Sequence, residues 1–270
     1  MEEVTITTFT IQDIPHIAHM QPEGWDDIRK EFVLYAMQTF CKPVKIVQYN
    51  RIIGLGTLII HQDSAWLGHI IVDSSCRGRG IGTLIVEHLV ALAHSHDIYT
   101  IHLIATDLGA PVYRKVGFRD AGLYATFRKT IENTPAKIDP HIESIKPSHR
   151  QQILQLDRET TGENRRTLLD LHLQCGLVFE IKGEIEGFYL PYLGQGPIYA
   201  RTERAGVALM ALKYSVSYIA ILPQDNLAGT VFLANNGFEI QEFTAIRMVL
   251  GRETPWLPQQ VYSRIGGNYG

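Results

Sequence analysis

The sequence predicts an α/β (α+β) protein made of two tandem copies of one fold, each a mixed, mostly antiparallel sheet flanked by helices. Three observations carry this expectation. An apolar, β-branched run over residues 69–72 stops at Asp73-Ser74, passes through Arg77-Gly-Arg-Gly-Ile-Gly82 and opens onto an amphipathic segment over 83–94, the pattern of strand, tight loop and helix. Residues 226–238 align without gaps against 106–118, with Gly229 on Gly109 and Gly237-Phe238 on Gly117-Phe118, which reads as an internal repeat. Between the two halves, residues 130–140 carry two prolines and polar residues without periodicity, the composition of a connector. The expected organisation is a first domain over 1–130, a linker over 131–140 and a second domain over 141–270.

Taken in order, residues 4–9 alternate apolar and threonine side chains and read as a first strand. Residues 11–20 look helical, Pro22-Glu-Gly-Trp25 breaks the chain, and 26–40 read as a second helix because Ile28, Phe32, Tyr35, Met37 and Phe40 fall near helical spacing. Two strands, 44–49 and 52–61, meet at Asn50-Arg51, and Gly54 and Gly56 in the second point to a bulge or a close backbone approach. After a turn at Asp63-Ser64, the strand over 65–72 feeds the glycine-rich loop. Residues 100–105 form the next strand, 109–118 a helix, and a strand pair over 122–129 closes the first domain.

The second half restarts the same order: a strand at 142–145, helices at 148–156 and 165–173, strands at 177–182 and 185–190, a segment 196–200 before a helix at 206–212, and the repeat helix at 226–238. The charged stretch Asp157 to Arg166 is either a solvated loop or an arm reaching into a pocket of the first domain. The tail, with Trp256 and Tyr262, is too aromatic for free solvent and is expected to pack on a domain surface.

Composition narrows the class. The chain has 270 residues, 45% hydrophobic and 20% charged, with a formal net charge of −3; this is ordinary for a globular protein and argues against a general nucleic-acid binder. Its 3 cysteines, Cys41, Cys76 and Cys175, are widely spaced without a Cys-x-x-Cys pair, so neither a disulfide framework nor a metal site is expected. Cys76 beside Arg77 near a helix start is expected to be a buried or incidental cysteine rather than a reactive one. The chain lacks a long apolar run and starts Met-Glu-Glu-Val, from which no membrane association and a cytoplasmic location are expected.

The loop itself is built for an anion. A helix start leaves backbone N–H groups unpaired and carries partial positive charge. Gly78, Gly80 and Gly82 let phosphate oxygens approach the amides and let the backbone take positive φ cheaply, and Arg77 and Arg79 add charged donors. Thr83 occupies the third glycine position of a dinucleotide fingerprint, and no Gly-Lys-Ser/Thr follows, so neither of those nucleotide loops fits. Arg-x-x-Gly-x-Gly after an apolar strand resembles the acetyl-CoA pyrophosphate loop of the GNAT superfamily of N-acetyltransferases. Gly109-Ala-Pro-Val-Tyr113-Arg-Lys-Val-Gly117-Phe118 is similar to the GNAT segment in which a helix carries a tyrosine four residues ahead of Gly-Phe.

The resemblance spans about residues 5–129 and implies a set of roles. Acetyl-CoA is the implied cofactor, held by Ile71, Val72, Asp73, Arg77, Gly78, Arg79, Gly80, Ile81, Gly82, Thr83, Thr106 and Gly109. Thr106 stands where the family often has asparagine, which leaves a side-chain amide contact to the pantetheine arm in doubt. Ile71, Val72 and Asp73 are expected to meet that arm through main chain, where the strand splays from its neighbour. The early helices are expected to line the acceptor side, making Trp25, Glu31 and Tyr35 candidates for touching the amine; for Tyr35 a core role is preferred. Tyr113 matches the family's general acid, and a backbone N–H near Ile71 or Val72 can polarise the thioester carbonyl. The general base stays open between His69 and water.

The loop counterpart in the second half, Arg201-Thr-Glu-Arg-Ala-Gly206, keeps one arginine and the last glycine, but Arg204 replaces an inner glycine, Glu203 adds negative charge, and Leu233 meets Tyr113. The second domain is therefore expected to be a divergent GNAT-like fold without its own catalysis. The whole reads as an acetyl-CoA-dependent N-acetyltransferase acting by direct transfer on the primary amine of a small or amino-acid-like acceptor, with a homodimer compatible. A non-catalytic acyl-CoA sensor is the alternative, and acetylation of ribosomal or histone lysines a third reading.

Overall fold

The computed structural model describes residues 4–132 and 138–270, and of residues 242–244 the backbone only. Half of the expected linker, residues 133–137, lies outside the described residues. The chain divides into two compact units: residues 1–119, 248–252 and 267–269 form the first, and 120–247, 253–266 and 270 the second.

In the first unit, β1 (Thr5–Thr8), β2 (Cys41–Gln48), β3 (Arg51–Ile60) and β4 (Ala65–Val72) are antiparallel neighbours in that order, and β5 (Ile101–Ala105) adds parallel to β4. The expected helix over 11–20 is instead two 3₁₀ turns, Ile11–His16 and Ala18–Met20. Pro15, inside the first, has no N–H to continue an α-helical ladder. The helix α1 (Ile28–Met37) starts where the Asp27 carboxylate accepts from the Arg29 amide, and it buries Ile28, Phe32 and Tyr35. The β2–β3 turn is centred on Tyr49 and Asn50, both at positive φ (49° and 57°), one residue earlier than the sequence suggests; two left-handed residues match the twist of a tight hairpin.

The helix α2 (Ile81–Ser95) lies on this sheet. A Cβ on Gly56 would stand 2.6 Å from Ile85, and one on Gly54 3.0 Å from the same side chain, so these two glycines let the helix approach the strand. The helix α3 (Ala110–Val116) ends at Gly117, φ 106°, whose neighbour Phe118 returns its amide to the Tyr113 carbonyl.

In the second unit, the expected strand pair over 122–129 is one continuous strand, β6 (Arg119–Lys129), belonging to this unit from Asp120 onward. The strands β7 (Ile142–Ser144), β8 (Leu177–Ile181), β9 (Glu184–Tyr189) and β10 (Ile198–Ala200) form an antiparallel sheet completed by β13 (Val261–Ser263). Strand β11 (Ile219–Pro223) pairs with β6, on whose other side lies β12 (Phe238–Leu250). Helices α4 (Arg150–Thr161), α5 (Arg166–Asp170), α6 (Glu203–Lys213) and α7 (Leu227–Asn235) accompany these strands. Phe127, Phe179, Ile198, Leu209, Met210, Leu222, Leu233 and Tyr262 share one buried core.

The stretch 157–166 is not a solvated loop. Asp157, Glu163 and Arg165 are buried, and Arg165 donates to both carboxylate oxygens of Asp157 and to the Tyr199 hydroxyl at 2.9 Å. An unpaired charge could not be sequestered this way, so the sequence that looks like a surface loop is an internal ion pair. The tail is packed, as its aromatics predict, but more deeply than on a surface: Val261–Ser263 is a buried strand of the sheet, and the Trp256 ring fills the space beside Gly122, tilted against Tyr124 and under Arg247.

Candidate functional site

The site is built at the end of β4. Leu55 pairs with Ile71 and Thr57 with Gly68, so Gly56 faces both His69 and Ile70. This is a β-bulge, with His69 in the left-handed region at φ 51°, and bulges of this kind re-aim side chains. On its other edge β4 pairs with β5 only through Ala65↔Ile101 and Trp66↔His102. Beyond Trp66 the two parallel strands part, which leaves the backbone around Ile71 and Val72 off that ladder, as the expected splay requires.

Asp73 ends the strand and braces the loop. Its carboxylate accepts from the Ser75 amide (2.9 Å) and hydroxyl (2.8 Å) and from Arg51 at 2.7 Å, with His19 at 3.5 Å. Burial alone would raise its pKa; the Ser75 hydrogen bonds and the charge of Arg51 bring the net shift down. Gly78 (φ 74°) and Gly80 (φ 82°) follow, and nothing lies within 4 Å of where a Cβ would sit on either. Gly80 is the left-handed N-cap of α2 and supplies no side-chain cap, so the amides of Ile81, Gly82 and Thr83 open the helix without an intrahelical acceptor. Gly82 has ordinary helical backbone, with a Cβ in normal contact (3.7 Å) with Val112 and Val72; unlike its two neighbours, it needs no positive φ. Arg77 and Arg79 are exposed at the same turn, with Arg77 Nε donating to the Val72 carbonyl (3.4 Å) and Arg79 Nη1 to the Cys76 sulfur (3.8 Å). Cys76 is a buried free thiol.

These residues fit a diphosphate. Open glycine backbone, unspent helix amides and two exposed guanidinium groups form a cationic concavity. Thr106 turns its hydroxyl inward instead, accepting from the Gly109 amide at 3.2 Å.

Tyr113 sits half-buried on α3, its ring against Phe118 at 6.0 Å between centroids. Burial pushes its phenol well above the ordinary tyrosine range, so it holds its proton throughout the neutral range.

The acceptor-side candidates come together around the bulge. The Trp25 ring, 44% exposed, meets His69 edge-on at 5.5 Å. The fully buried Tyr35 hydroxyl lies 2.7 Å from His69 Nδ1, so this core aromatic is also wired to the site. Burial pushes the His69 pKa down to about 4, leaving a neutral imidazole. Glu31 is half-buried; burial first and the nearby Asp26 charge second raise its pKa. Sequence reasoning missed Asn268, whose amide nitrogen stands 2.5 Å from the Tyr35 hydroxyl and 3.4 Å from a Glu31 oxygen. No local motif marks this asparagine.

The second unit has the same order of elements and a different interior. The Thr202 hydroxyl caps α6 by accepting from the Ala205 amide. Between β10 and β11, where the first unit has its parting strands, β13 is inserted: it pairs with β10, and Arg264 just beyond it donates to the Ile221 carbonyl at 3.4 Å. The Asn226 amide, aligned with Thr106, donates to the Val261 carbonyl at 2.9 Å. The Tyr262 ring takes the space beside Gly206, the counterpart of Gly82. A diphosphate and its arm do not fit this cleft, because the chain's own strand fills it.

Among the described residues one group, Glu143, His149 and Glu180, has the proximity of a metal site, with ligand atoms within 4.8 Å of one another. His149 Nδ1 accepts from the Lys146 amide at 3.2 Å, which puts its proton on Nε2, facing Glu143 (3.4 Å) and Glu180 (3.3 Å). That is a hydrogen-bonded cluster rather than a ligand set.

With this geometry in hand, comparison with known proteins gives a consistent picture. Residues 42–120 match the family model described as an acetyltransferase (GNAT) domain. A glucosamine 6-phosphate N-acetyltransferase of Trypanosoma brucei brucei is 33% identical over 77 residues, 26% of this chain and 52% of the relative; the chain thus spans about half the length of the curated relative it matches. A Pyrococcus horikoshii structure provisionally assigned as an acetyltransferase has a TM-score of 0.83 at 19% identity, covering 100% of this chain and 97% of its own. A tandem GNAT protein from the clavulanic acid biosynthesis pathway has a TM-score of 0.62 at 14% identity, covering 92% and 98%. At these identities the structures speak for the fold alone. No helix among the described residues is long and apolar enough to cross a membrane.

Proposed function

We propose that this chain, whose residues 42–120 match the acetyltransferase (GNAT) domain model, is an acetyl-CoA-dependent N-acetyltransferase acting on the primary amine of a small-molecule acceptor. The observation that carries the proposal is the uncapped start of α2 at Gly80, with open left-handed glycines and two exposed arginines, at the end of a strand that parts from its parallel neighbour. In this reading Arg77, Arg79 and the amides of residues 81–83 hold the diphosphate of the carrier, and the β4 main chain at Ile71 and Val72 runs along its arm. The carrier supplies the activated acetyl thioester. Tyr113 keeps a proton on its phenol oxygen for the departing sulfur, because burial opposes its ionisation. Neutral Trp25 and His69 and the carboxylate of Glu31 face the amine. The name of the trypanosomal relative is in keeping with an amino-sugar member of this acceptor class. The second unit is read as a divergent fold without its own catalysis, and the protein as cytoplasmic.

Screening a panel of primary amines with acetyl-CoA while following thiol release tests the proposal. Turnover with one class of amine is expected, and Tyr113→Phe should lower kcat by about 10²-fold, within the range for a lost general acid, while CoA still binds. CoA binding without turnover on any amine would favour the sensor reading instead.

A further inference from the structure

The carboxylate of Glu31 accepts hydrogen bonds and cannot donate one, so the side chain of Asn268 that faces it at 3.4 Å does so with its amide nitrogen. That same nitrogen lies 2.5 Å from the Tyr35 hydroxyl, and therefore donates to the phenol oxygen. The one proton of Tyr35 is then left for its other partner, His69 Nδ1, at 2.7 Å. An imidazole that accepts at Nδ1 carries its own proton at Nε2. We propose that Asn268, through Tyr35, fixes His69 as the Nε2–H tautomer, so that His69 meets the bound acceptor or acyl group as a hydrogen-bond donor to oxygen and does not take the proton of the amine.

Three further features support this. Among the described residues it is Nδ1 of His69 that is engaged by the protein, through the Tyr35 hydroxyl at 2.7 Å. The left-handed backbone at the β-bulge holds the imidazole in place against Trp25 and Phe32. Gly68 leaves room for the tail: a Cβ there would stand 2.7 Å from the Asn268 Cβ. Asn268 is thus a positioning residue, acting through another side chain, and the consequence for substrate is a class: acceptors with an oxygen that can accept from His69. The proton of the amine then leaves through water or another base.

The role toward substrate rests on the acetyltransferase reading, but the tautomer does not. Long-range ¹H–¹⁵N NMR of the full chain at about pH 8, where a histidine of such low basicity is neutral, should show His69 as a single Nε2–H tautomer. Asn268→Asp places an acceptor against Tyr35, turns the phenol proton away, and should flip His69 to Nδ1–H. If that variant does not fold, Tyr35→Phe keeps the ring and removes the donor, and the Nδ1 resonance should shift. A wild-type Nδ1–H pattern, an unflipped Asn268→Asp or an unmoved Nδ1 resonance in Tyr35→Phe overturns the inference. Absence of turnover on every amine, with the expected spectra, would sink the functional reading and leave the tautomer standing.

Discussion

Tyr262 lies so close over Gly206 that a Cβ on the glycine would stand 2.3 Å from the ring. The counterpart position in the first unit, Gly82, has room for a methyl group, whereas here the glycine is the seat of an aromatic side chain from β13. Asn226 completes the substitution by donating its side-chain amide to the Val261 main-chain carbonyl. Calorimetry with CoA should therefore give a stoichiometry of about one per chain, since in the second unit Thr202 caps α6 and Tyr262 covers Gly206. Gly206→Ala should overpack the second unit and cost about 1–3 kcal/mol of stability, without changing CoA affinity.

Within the loop, the three glycines should not respond alike. Gly80 is left-handed in open space, so alanine there meets no clash but carries a backbone cost of about 1–2 kcal/mol and, in the proposed reading, puts a methyl group where the diphosphate would lie. Gly82 is helical, with room for a methyl. Thermal unfolding and CoA titration should show Gly80→Ala losing at least tenfold in affinity, and Gly82→Ala holding its stability.

This contrast also marks what could be read from the chain. The loop, the helix that carries Tyr113 and the restart of the fold were legible because short motifs mark them: glycines at fixed spacing, a tyrosine ahead of Gly-Phe, and a second ungapped copy. Asn268 was not, because its role depends on bringing residues more than 230 positions apart into contact, which no periodicity records. The stretch 157–166 was misread for a related reason. A run of charges normally marks a solvated surface, and burial here is possible only because Asp157, Arg165 and Tyr199 meet one another in the fold. The helix expected over 11–20 failed on a rule that was visible, the proline at position 15.

The low basicity of His69 has a measurable sign. Its pKa is about 4 in the folded chain because burial disfavours the cation, against about 6.5 when unfolded. Between these values the unfolded chain binds more protons, so stability rises with pH across about 4 to 6.5. This contribution is complete above pH 6.5 and is lost as pH falls toward 4. Urea midpoints should follow that slope, and His69→Gln, with no titrating ring, should flatten it. The pH profile of acetyl transfer should likewise lack a limb near 6.5 arising from His69.

The buried pair of the second unit gives the last prediction. Arg165 and Asp157 are each 1% exposed, and their closest contact is 2.5 Å. Burial works against the guanidinium, but the Asp157 carboxylate and the Tyr199 hydroxyl outweigh it and hold Arg165 as a cation. Asp157→Ala would leave that cation in the interior without its carboxylate, and should cost about 3–5 kcal/mol. Replacing both partners with apolar residues of similar volume, Asp157→Leu with Arg165→Met, removes the buried charge together with its counter-charge, and should cost less than the single change. Chemical denaturation of the two variants decides the matter: a double variant less stable than the single one would show that the guanidinium's other contacts, such as its place over the Tyr199 ring at 5.4 Å, contribute more than the ion pair. The expected order also separates this pair from the chemistry of the first unit, since CoA affinity in folded Asp157→Ala should equal that of the wild type.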